Sequence, residues 1–170
     1  YGDAEEIDLL RRVARADDFD SVLQTVAGHA ASHAGVEVVG LQLMDEDGQH
    51  LEGHRCFGPG LDERSLSMGL QAVPLDVQAS LSARVALTRK AVHGSRDLSQ
   101  WMSELDRQAS RALGIQDAVL VPLVDDGQCI GVVHFYRLSG PLALGEEGLA
   151  PLERMAGNLA VAVQRLRQEK

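Results

Sequence analysis

Cysteine is scarce in this 170-residue sequence, and long hydrophobic runs are missing. The two cysteines, Cys56 and Cys129, provide neither a disulfide framework nor a CxxC metal motif. No apolar stretch approaches the roughly 18 residues of a membrane-spanning helix. The first residues, YGDAEE, have neither the basic start nor the apolar middle of a signal peptide. We therefore expect a cytoplasmic domain without a membrane anchor.

Clustered positive charge is also missing. The chain has 16 Lys and Arg against 25 Asp and Glu, which gives a net charge of −9. Contacts to a phosphate backbone need grouped basic side chains, so nucleic-acid binding is excluded as the main role. With 45% hydrophobic and 24% charged residues, the composition is that of one globular domain. Because the chain lacks an initiating Met and ends inside a predicted helix, we expect it to be part of a longer protein with a separate effector domain.

Two predicted strands and a tight turn dominate the last third of the chain. The apolar run Ala118–Val124 is followed by Asp125-Asp126-Gly127-Gln128, and the chain returns as a second apolar run over 129–136. A short polar turn between two such runs is typical of a β-hairpin. We predict a hairpin from the middle of a sheet.

A regular apolar stripe follows on the predicted last helix. Its members recur at spacings of 3, 4, 3, 4 and 3 residues, and they are Leu149, Leu152, Ala156, Leu159, Val163 and Leu166. Such spacing makes a narrow seam of the kind that pairs two helices. We predict that this seam forms a homodimer interface, while Val161 and its neighbours contact the sheet.

In the first two thirds of the chain, the pattern predicts helices around an earlier hairpin, so that the hairpin over 118–136 is the second. We expect a first helix over Glu5–Ala16 with Ile7, Leu10, Val13 and Ala14 on one side, and a second helix that is capped by Asp20 or Ser21 and ends at Gly35. The strands of the hairpin follow over Val36–Met44 and Gln49–Phe57. After them we expect a loop-rich stretch over 58–75, a helix over 80–90, a short strand over 91–94, and a helix over 99–113 that ends at Gly114. This order indicates an α+β fold with a central antiparallel sheet.

With this order of elements, the chain resembles the GAF family. The resemblance rests on Val121-Pro122-Leu123, the polar turn to Gln128, Ile130-Gly131-Val132, and the later residues Leu144, Glu146, Glu147, Leu149, Leu152, Ala156, Leu159, Ala160, Ala162 and Val163. It implies a sheet of five to six strands, with the N- and C-terminal helices on one face and the helical insert over a pocket on the other. The domain would span 19–167, after a linker helix over 1–18, and 146–170 would double as a signalling and dimerisation helix.

The resemblance also implies a non-catalytic sensory module in a bacterial-type signalling protein, attached to a histidine kinase, a cyclase or phosphodiesterase, or a transcriptional activator. The cyclic-nucleotide binders of the family carry an Asn-Lys pair, whereas the only asparagine here is Asn158. Bilin binders have Cys followed by His, which neither cysteine of this chain has. The sulfoxide reductases need a cysteine pair near the cap, and residues 58–115 contain no cysteine. The identity of any cofactor stays unknown.

Seven residues are candidates for the binding of a small molecule between insert and sheet. They combine apolar and polar side chains, as small-ligand sites do, and they are His93, Arg96, Asp97, Trp101, Met102, His134 and Tyr136. Two alternatives are open, namely that Trp101 serves only to anchor the insert and that His134 is a hydrogen-bonded core histidine.

Metal binding is an alternative at two places. His29 and His33 stand four residues apart on a helix, and a solvated helix face explains them more simply. His50, Glu52, His54 and Cys56 would share one face of a strand by the period-two rule, where an exposed polar edge is the simpler explanation. The favoured function is a ligand-binding sensor, and the alternatives are a ligand-free dimerisation scaffold and a metal or haem sensor.

Overall fold

An antiparallel sheet of six strands forms the centre of the molecule. The computed structural model describes residues 3–58, 73–76, 78, 80–94 and 103–168. In chain order the elements are α1 (Asp3–Arg15), α2 (Phe19–Ala34), β1 (Val38–Met44), β2 (His50–Phe57), β3 (Val73–Pro74), α3 (Leu81–Thr88), β4 (Val92–His93), α4 (Glu104–Leu113), β5 (Asp117–Asp125), β6 (Gln128–Arg137) and α5 (Ala150–Gln168). The strand order is β3-β2-β1-β6-β5-β4. The predicted α+β fold is confirmed.

Three helices cover one side of the sheet, which we call the helix face. Odd-numbered residues of β1 and β5, such as Leu41 and Val121, point there and join the core that α1, α2 and α5 complete. The alternation of side chains along a strand explains why the opposite side carries a separate set. That other side, the cap face, carries residues such as Leu120 and Val132, which pack with α3. The N- and C-terminal helices therefore share one face, as expected.

The second hairpin turns where the sequence indicated. Asp126 and Gly127 have φ values of 52° and 76°, and the pairing Asp125↔Gln128 closes the loop around them. Two successive positive φ values define the two-residue type I′ turn, whose twist matches that of the flanking strands. An Asp-Gly pair suits it because both residues tolerate this conformation.

The ends of α2 are set by side-chain and backbone caps. Asp18, not Asp20 or Ser21, caps the N-terminus: its carboxylate accepts a hydrogen bond of 2.7 Å from the backbone N–H of Ser21. Gly35 ends the helix in the left-handed conformation with φ 73°, as predicted. The expected start was wrong by a few residues because Asp18 and Asp20 are equally good capping residue types, and the chain entering the helix decides between them.

The predicted dimer seam on α5 is buried inside the chain's own core. Of its six members, Leu152, Ala156, Leu159, Val163 and Leu166 are at most 4% exposed, and Leu149 packs against the same cluster. Val161, expected to contact the sheet, is 61% exposed. The assignment of the seam to a subunit interface is therefore corrected, because the same spacing also fits a helix that lies on a sheet between two neighbouring helices.

The orientation of α1 also differs from the expectation. Leu9 and Val13 are its buried side chains, whereas Ile7 and Leu10 are 48% and 45% exposed. The helix packs against α2 and α5, and Leu9 lies in the common core, so this segment is part of the packed fold. The sequence pattern could not predict which side of α1 is buried, because apolar residues occur on both sides of this helix.

A bulge in β2 separates the polar residues that were expected on one face. Cys56 pairs with Gly40 and Arg55 with Leu41, but the next residue of β1, Gln42, pairs with Gly53. The extra residue reverses the alternation. Cys56 therefore shares the cap face, whereas Glu52, opposite Leu43, shares the helix face, so the residues proposed as a metal cluster do not form one row.

Candidate functional site

Buried polar side chains gather on the cap face of the two central strands. Gln42 on β1 and His134 on β6 are each 7% exposed, although their immediate neighbours along both strands are apolar. His134 pairs with Gly40, so Gln42 is its diagonal neighbour on the same face. Tyr136 follows two residues later on β6 and points to the same side. The sheet register thus brings three polar side chains together.

These three side chains form a continuous hydrogen-bonded chain. His134 Nε2 lies 2.6 Å from Gln42 Oε1, and the Tyr136 hydroxyl lies 2.5 Å from His134 Nδ1. Both ring nitrogens of His134 are thereby occupied. Burial lowers the pKa of His134 to about 4, so the ring is neutral at physiological pH. Burial also raises the pKa of Tyr136, and the charges of Cys56 and Asp106 add to that increase.

Gly40 lies beside this chain, within contact range of Cys56 and His134. A Cβ atom built at Gly40 would lie 3.4 Å from Cys56 Sγ and 3.6 Å from His134 Cβ, which are ordinary contact distances. Gly131 is different, because a Cβ there would lie 2.2 Å from the carbonyl oxygen of Gln42. Strand packing therefore requires a glycine at 131 but not at 40. A glycine inside a strand that the strand packing does not require can mark the close approach of a ligand or of another backbone.

Asp106 joins the two helices on the cap side. Its Oδ2 accepts hydrogen bonds from the backbone N–H of Leu81, at 2.9 Å, and from the N–H and hydroxyl of Ser103, both at 3.0 Å. It therefore stabilises the N-termini of α3 and α4 together. Burial raises the pKa of Asp106. Asp106 also adds to the pKa increase at Tyr136.

His93 belongs to a second polar group, centred on Asp117. Asp117 is 2% exposed, and its carboxylate accepts hydrogen bonds of 2.9 Å from the backbone N–H groups of Ala118 and Leu142. His93 Nε2 lies 3.2 Å from the same carboxylate. Asp117 thus connects β4, at the edge of the insert, with the segment that leads from β6 to α5.

The predicted ligand residues are thus only partly placed. His134 and Tyr136 are in direct contact, whereas His93 is held by Asp117. The other four candidates, Arg96, Asp97, Trp101 and Met102, lie outside the described residues. Sequence reasoning missed Gly40, Gln42, Asp106 and Asp117. One signal was available for Gln42, since it is the single polar residue in the strand VVGLQLM.

The histidines on α2 lie elsewhere. His29 and His33 line a cleft of about 640 Å³ between α1 and α2, together with Glu5 and Arg12. His29 Nε2 lies 3.1 Å from Asp8 Oδ2, and burial lowers the pKa of His33. Among the residues that the structure describes, no three His, Cys, Asp or Glu side chains are grouped so as to hold a metal ion.

Comparison with known families supports the architecture. A family model described as "GAF domain" matches residues 16–164. The chain belongs to the GAF family. This GAF domain has no match among proteins of curated function. None of its described helices is both long enough and apolar enough to cross a bilayer.

Solved structures similar to this GAF domain include proteins of different function. A methyl-accepting chemotaxis protein domain is 21% identical with a TM-score of 0.70, and the alignment covers 95% of this chain and 98% of that one. The GAF domain of a two-component sensor histidine kinase from Bacillus halodurans is 15% identical with a TM-score of 0.70, covering 91% and 99%. A free methionine-R-sulfoxide reductase from Neisseria meningitidis is 20% identical with a TM-score of 0.68, covering 100% and 96%. At these identities the likeness establishes the fold, and GAF domains are generally regulatory modules.

Proposed function

We propose that this GAF domain is a non-catalytic sensory module of a larger signalling protein and that it binds a small molecule on the cap face beside His134. The observation that carries the proposal is the hydrogen-bonded chain Gln42–His134–Tyr136 next to Gly40, a position that the strand packing does not require to be glycine. Buried polar groups are costly unless they are satisfied, and a few fixed polar groups in an apolar wall are typical of ligand sites. The similarity to a sensor kinase and a chemotaxis protein supports a sensory role.

A non-catalytic role fits the state of the two cysteines. Burial raises the pKa of both the Cys56 and the Cys129 thiols, so neither is activated as a thiolate nucleophile. The Cys129 thiol donates a hydrogen bond to the Gly131 carbonyl oxygen at 3.2 Å. Both ring nitrogens of His134 are already engaged, which makes the residue a poor metal ligand in this arrangement.

The Asp117 group offers a route from ligand to output. His93 lies at the end of the described part of the insert, and Leu142 lies on the way to α5. A ligand that moves β4 would alter the contact between His93 and Asp117, and thereby the anchoring of the segment before α5. Coupling of this kind requires that the ligand binds one arrangement better than the other. The attached effector is proposed to be a histidine kinase, a cyclase or phosphodiesterase, or a transcriptional activator.

A second candidate function, a dimerisation scaffold, is favoured by the outer surface of α1 and α5. Ile7, Leu10 and Val161 are among the few large apolar side chains that are exposed. The two helices are held side by side, since Arg165 donates hydrogen bonds to the Val13 and Ala16 carbonyl oxygens. We propose that a second copy of this chain covers the outer surface, which we define as Ile7, Leu10 and Val161. The homodimer hypothesis is thereby moved from the buried seam to the opposite side of α5.

The ligand proposal is tested by native mass spectrometry of the freshly purified protein, compared with the mass of the denatured chain. We expect an excess mass per subunit that is lost in His134→Ala, because the variant removes the central member of the hydrogen-bonded chain. Leu87→Ala, an exposed residue on α3, is the matched control and should keep the excess mass. A bare dimer with no excess mass in any variant would favour the scaffold instead.

A further inference from the structure

The chain from Gln42 to Tyr136 fixes where each hydrogen lies. Gln42 Oε1 has only lone pairs, so its contact of 2.6 Å with His134 requires a hydrogen on Nε2. The neutral imidazole ring carries one hydrogen. Once that hydrogen is on Nε2, Nδ1 is a bare acceptor.

Tyr136 must then supply the hydrogen of the second contact. Its hydroxyl oxygen lies 2.5 Å from Nδ1, and two lone pairs at this distance would repel each other. The O–H bond of Tyr136 therefore points at His134. A phenol has one hydrogen, so the same oxygen offers only lone pairs to any further partner.

The surroundings of Tyr136 also favour a partner that donates a hydrogen bond over one that carries negative charge. Burial is the main cause of the pKa increase at Tyr136, and Asp106 adds to it, so this part of the cap face disfavours additional negative charge. Asp106 lies at the N-termini of α3 and α4 and accepts hydrogen bonds through Oδ2. The Cys56 thiol lies beside Gly40 and keeps its hydrogen because burial raises its pKa.

We infer that the site selects a small molecule which presents an N–H donor, as an amine or amidine does, to the Tyr136 oxygen, and that it selects against carboxylate and phosphate groups there. The inference rests on the function proposed above and adds the chemical class of the ligand. Its physical basis is that a lone pair facing a donor forms a hydrogen bond, whereas a lone pair facing a carboxylate is left buried and unsatisfied.

The first test needs no ligand. Long-range ¹H–¹⁵N NMR spectra of the protein labelled with ¹⁵N-histidine distinguish a ring protonated at Nε2 from one protonated at Nδ1. We expect the Nε2–H form for His134, identified by the loss of its signals in His134→Ala. The Nδ1–H form would overturn the inference, because Tyr136 could then donate its hydrogen to a ligand.

The second test compares two small planar probes of opposite polarity, benzamidine and benzoate. We expect benzamidine to bind at least about tenfold more tightly and to shift the His134 and Tyr136 signals. Tyr136→Phe keeps the ring and the net charge but removes the oxygen, so the preference should fall toward equal affinity. This variant separates the local contact from a general attraction of the acidic chain for cations.

The outcomes distinguish the two proposals. If benzoate binds beside Tyr136 as tightly as benzamidine, the polarity is wrong, but a ligand site on the cap face still stands. A preference for benzamidine that survives in Tyr136→Phe also overturns the inference. If neither probe shifts the signals of His134 and Tyr136, both the inference and the proposed ligand site fail.

Discussion

At the scale of single residues, the main feature of this protein is a histidine that is buried and neutral. His134 lies between apolar neighbours on a central strand of the sheet, and its two ring nitrogens are satisfied by Gln42 and Tyr136. A buried polar group contributes little net stability when it is paired and costs much when a partner is lost. The protonation of this residue should therefore be visible in the stability of the whole domain.

We expect the free energy of unfolding to fall in acid because of His134. Its pKa is 6.5 as a free side chain and about 4 in the fold, so between these values the unfolded chain binds a proton that the folded chain does not. The stabilisation is complete above pH 6.5 and is lost as the pH falls toward 4, with a total on the order of 3 kcal/mol. Urea unfolding of wild type and His134→Leu at several pH values measures the difference.

In the comparison of wild type with His134→Leu, the pH dependence due to the other acid-titrating groups cancels, because both proteins contain them. We expect the wild type to lose more stability than the variant between pH 6.5 and 4. Equal slopes for the two proteins would contradict a buried neutral histidine.

A second residue-scale prediction concerns Asp106. Asp106→Ala removes the acceptor for the backbone N–H groups of Leu81 and Ser103, and we expect a loss of about 1–3 kcal/mol in the free energy of unfolding. Amide hydrogen exchange should increase at both residues. Glu104→Ala, on the same helix, removes only exposed ion pairs and should change stability by less than about 1 kcal/mol. If the two variants behave alike, Asp106 does not connect α3 and α4.

At the scale of elements, two glycines of α2 have opposite roles. Gly35 ends the helix with φ 73°, and a Cβ atom there would lie 2.5 Å from Arg137 Nη1. Gly28 lies inside the helix, and a Cβ atom there would meet nothing within 4 Å. The same substitution at the two positions should therefore change stability in opposite directions.

We expect Gly35→Ala to destabilise the domain by about 1–2 kcal/mol, because alanine is strained in the left-handed conformation. Gly28→Ala should stabilise it by up to about 1 kcal/mol, because alanine has the higher helix propensity. Thermal and urea unfolding of the two variants provide the comparison. A loss of stability in Gly28→Ala would mean that Gly28 is in contact with a group from outside the chain, such as a second subunit.

At the scale of the whole molecule, the two sides of α5 differ in what covers them. Its inner side completes the core with α1, α2 and the helix face of the sheet. Its outer side leaves Val161 exposed beside α1. The stripe of leucine, alanine and valine that suggests a coiled coil is therefore used within one chain, and any pairing of subunits must use other residues.

We expect Leu10→Glu and Val161→Glu to convert a dimer to monomers, because each places a charge on the proposed contact surface. Light scattering after size-exclusion chromatography measures the mass, and circular dichroism checks the fold. Leu87→Glu is the matched control, since Leu87 is 48% exposed, as Ile7 is, but lies on the cap side. A dimer that persists in both α1 and α5 variants would exclude this surface.

The sequence determined the elements of the fold. Hairpin two follows from two apolar runs around Asp126-Gly127, and the end of α2 follows from Gly35, because both signals are local and each residue type has few alternatives. The α+β class follows from the order of these elements. Of the candidate site, the sequence indicated His134 and Tyr136 on one face of β6, through the period of two alone.

Only the tertiary structure decided which side of each helix is buried and which polar residues meet. Gln42 and His134 are 92 positions apart in the sequence, and the pairing of β1 with β6 brings them together. Asp106 on α4 accepts a hydrogen bond from the first residue of α3. The bulge in β2 moved Cys56 to the cap face and Glu52 to the other. Spacing along a chain describes one element at a time, whereas burial depends on what the neighbouring elements cover, so the stripe on α5 became core and Val161 became surface.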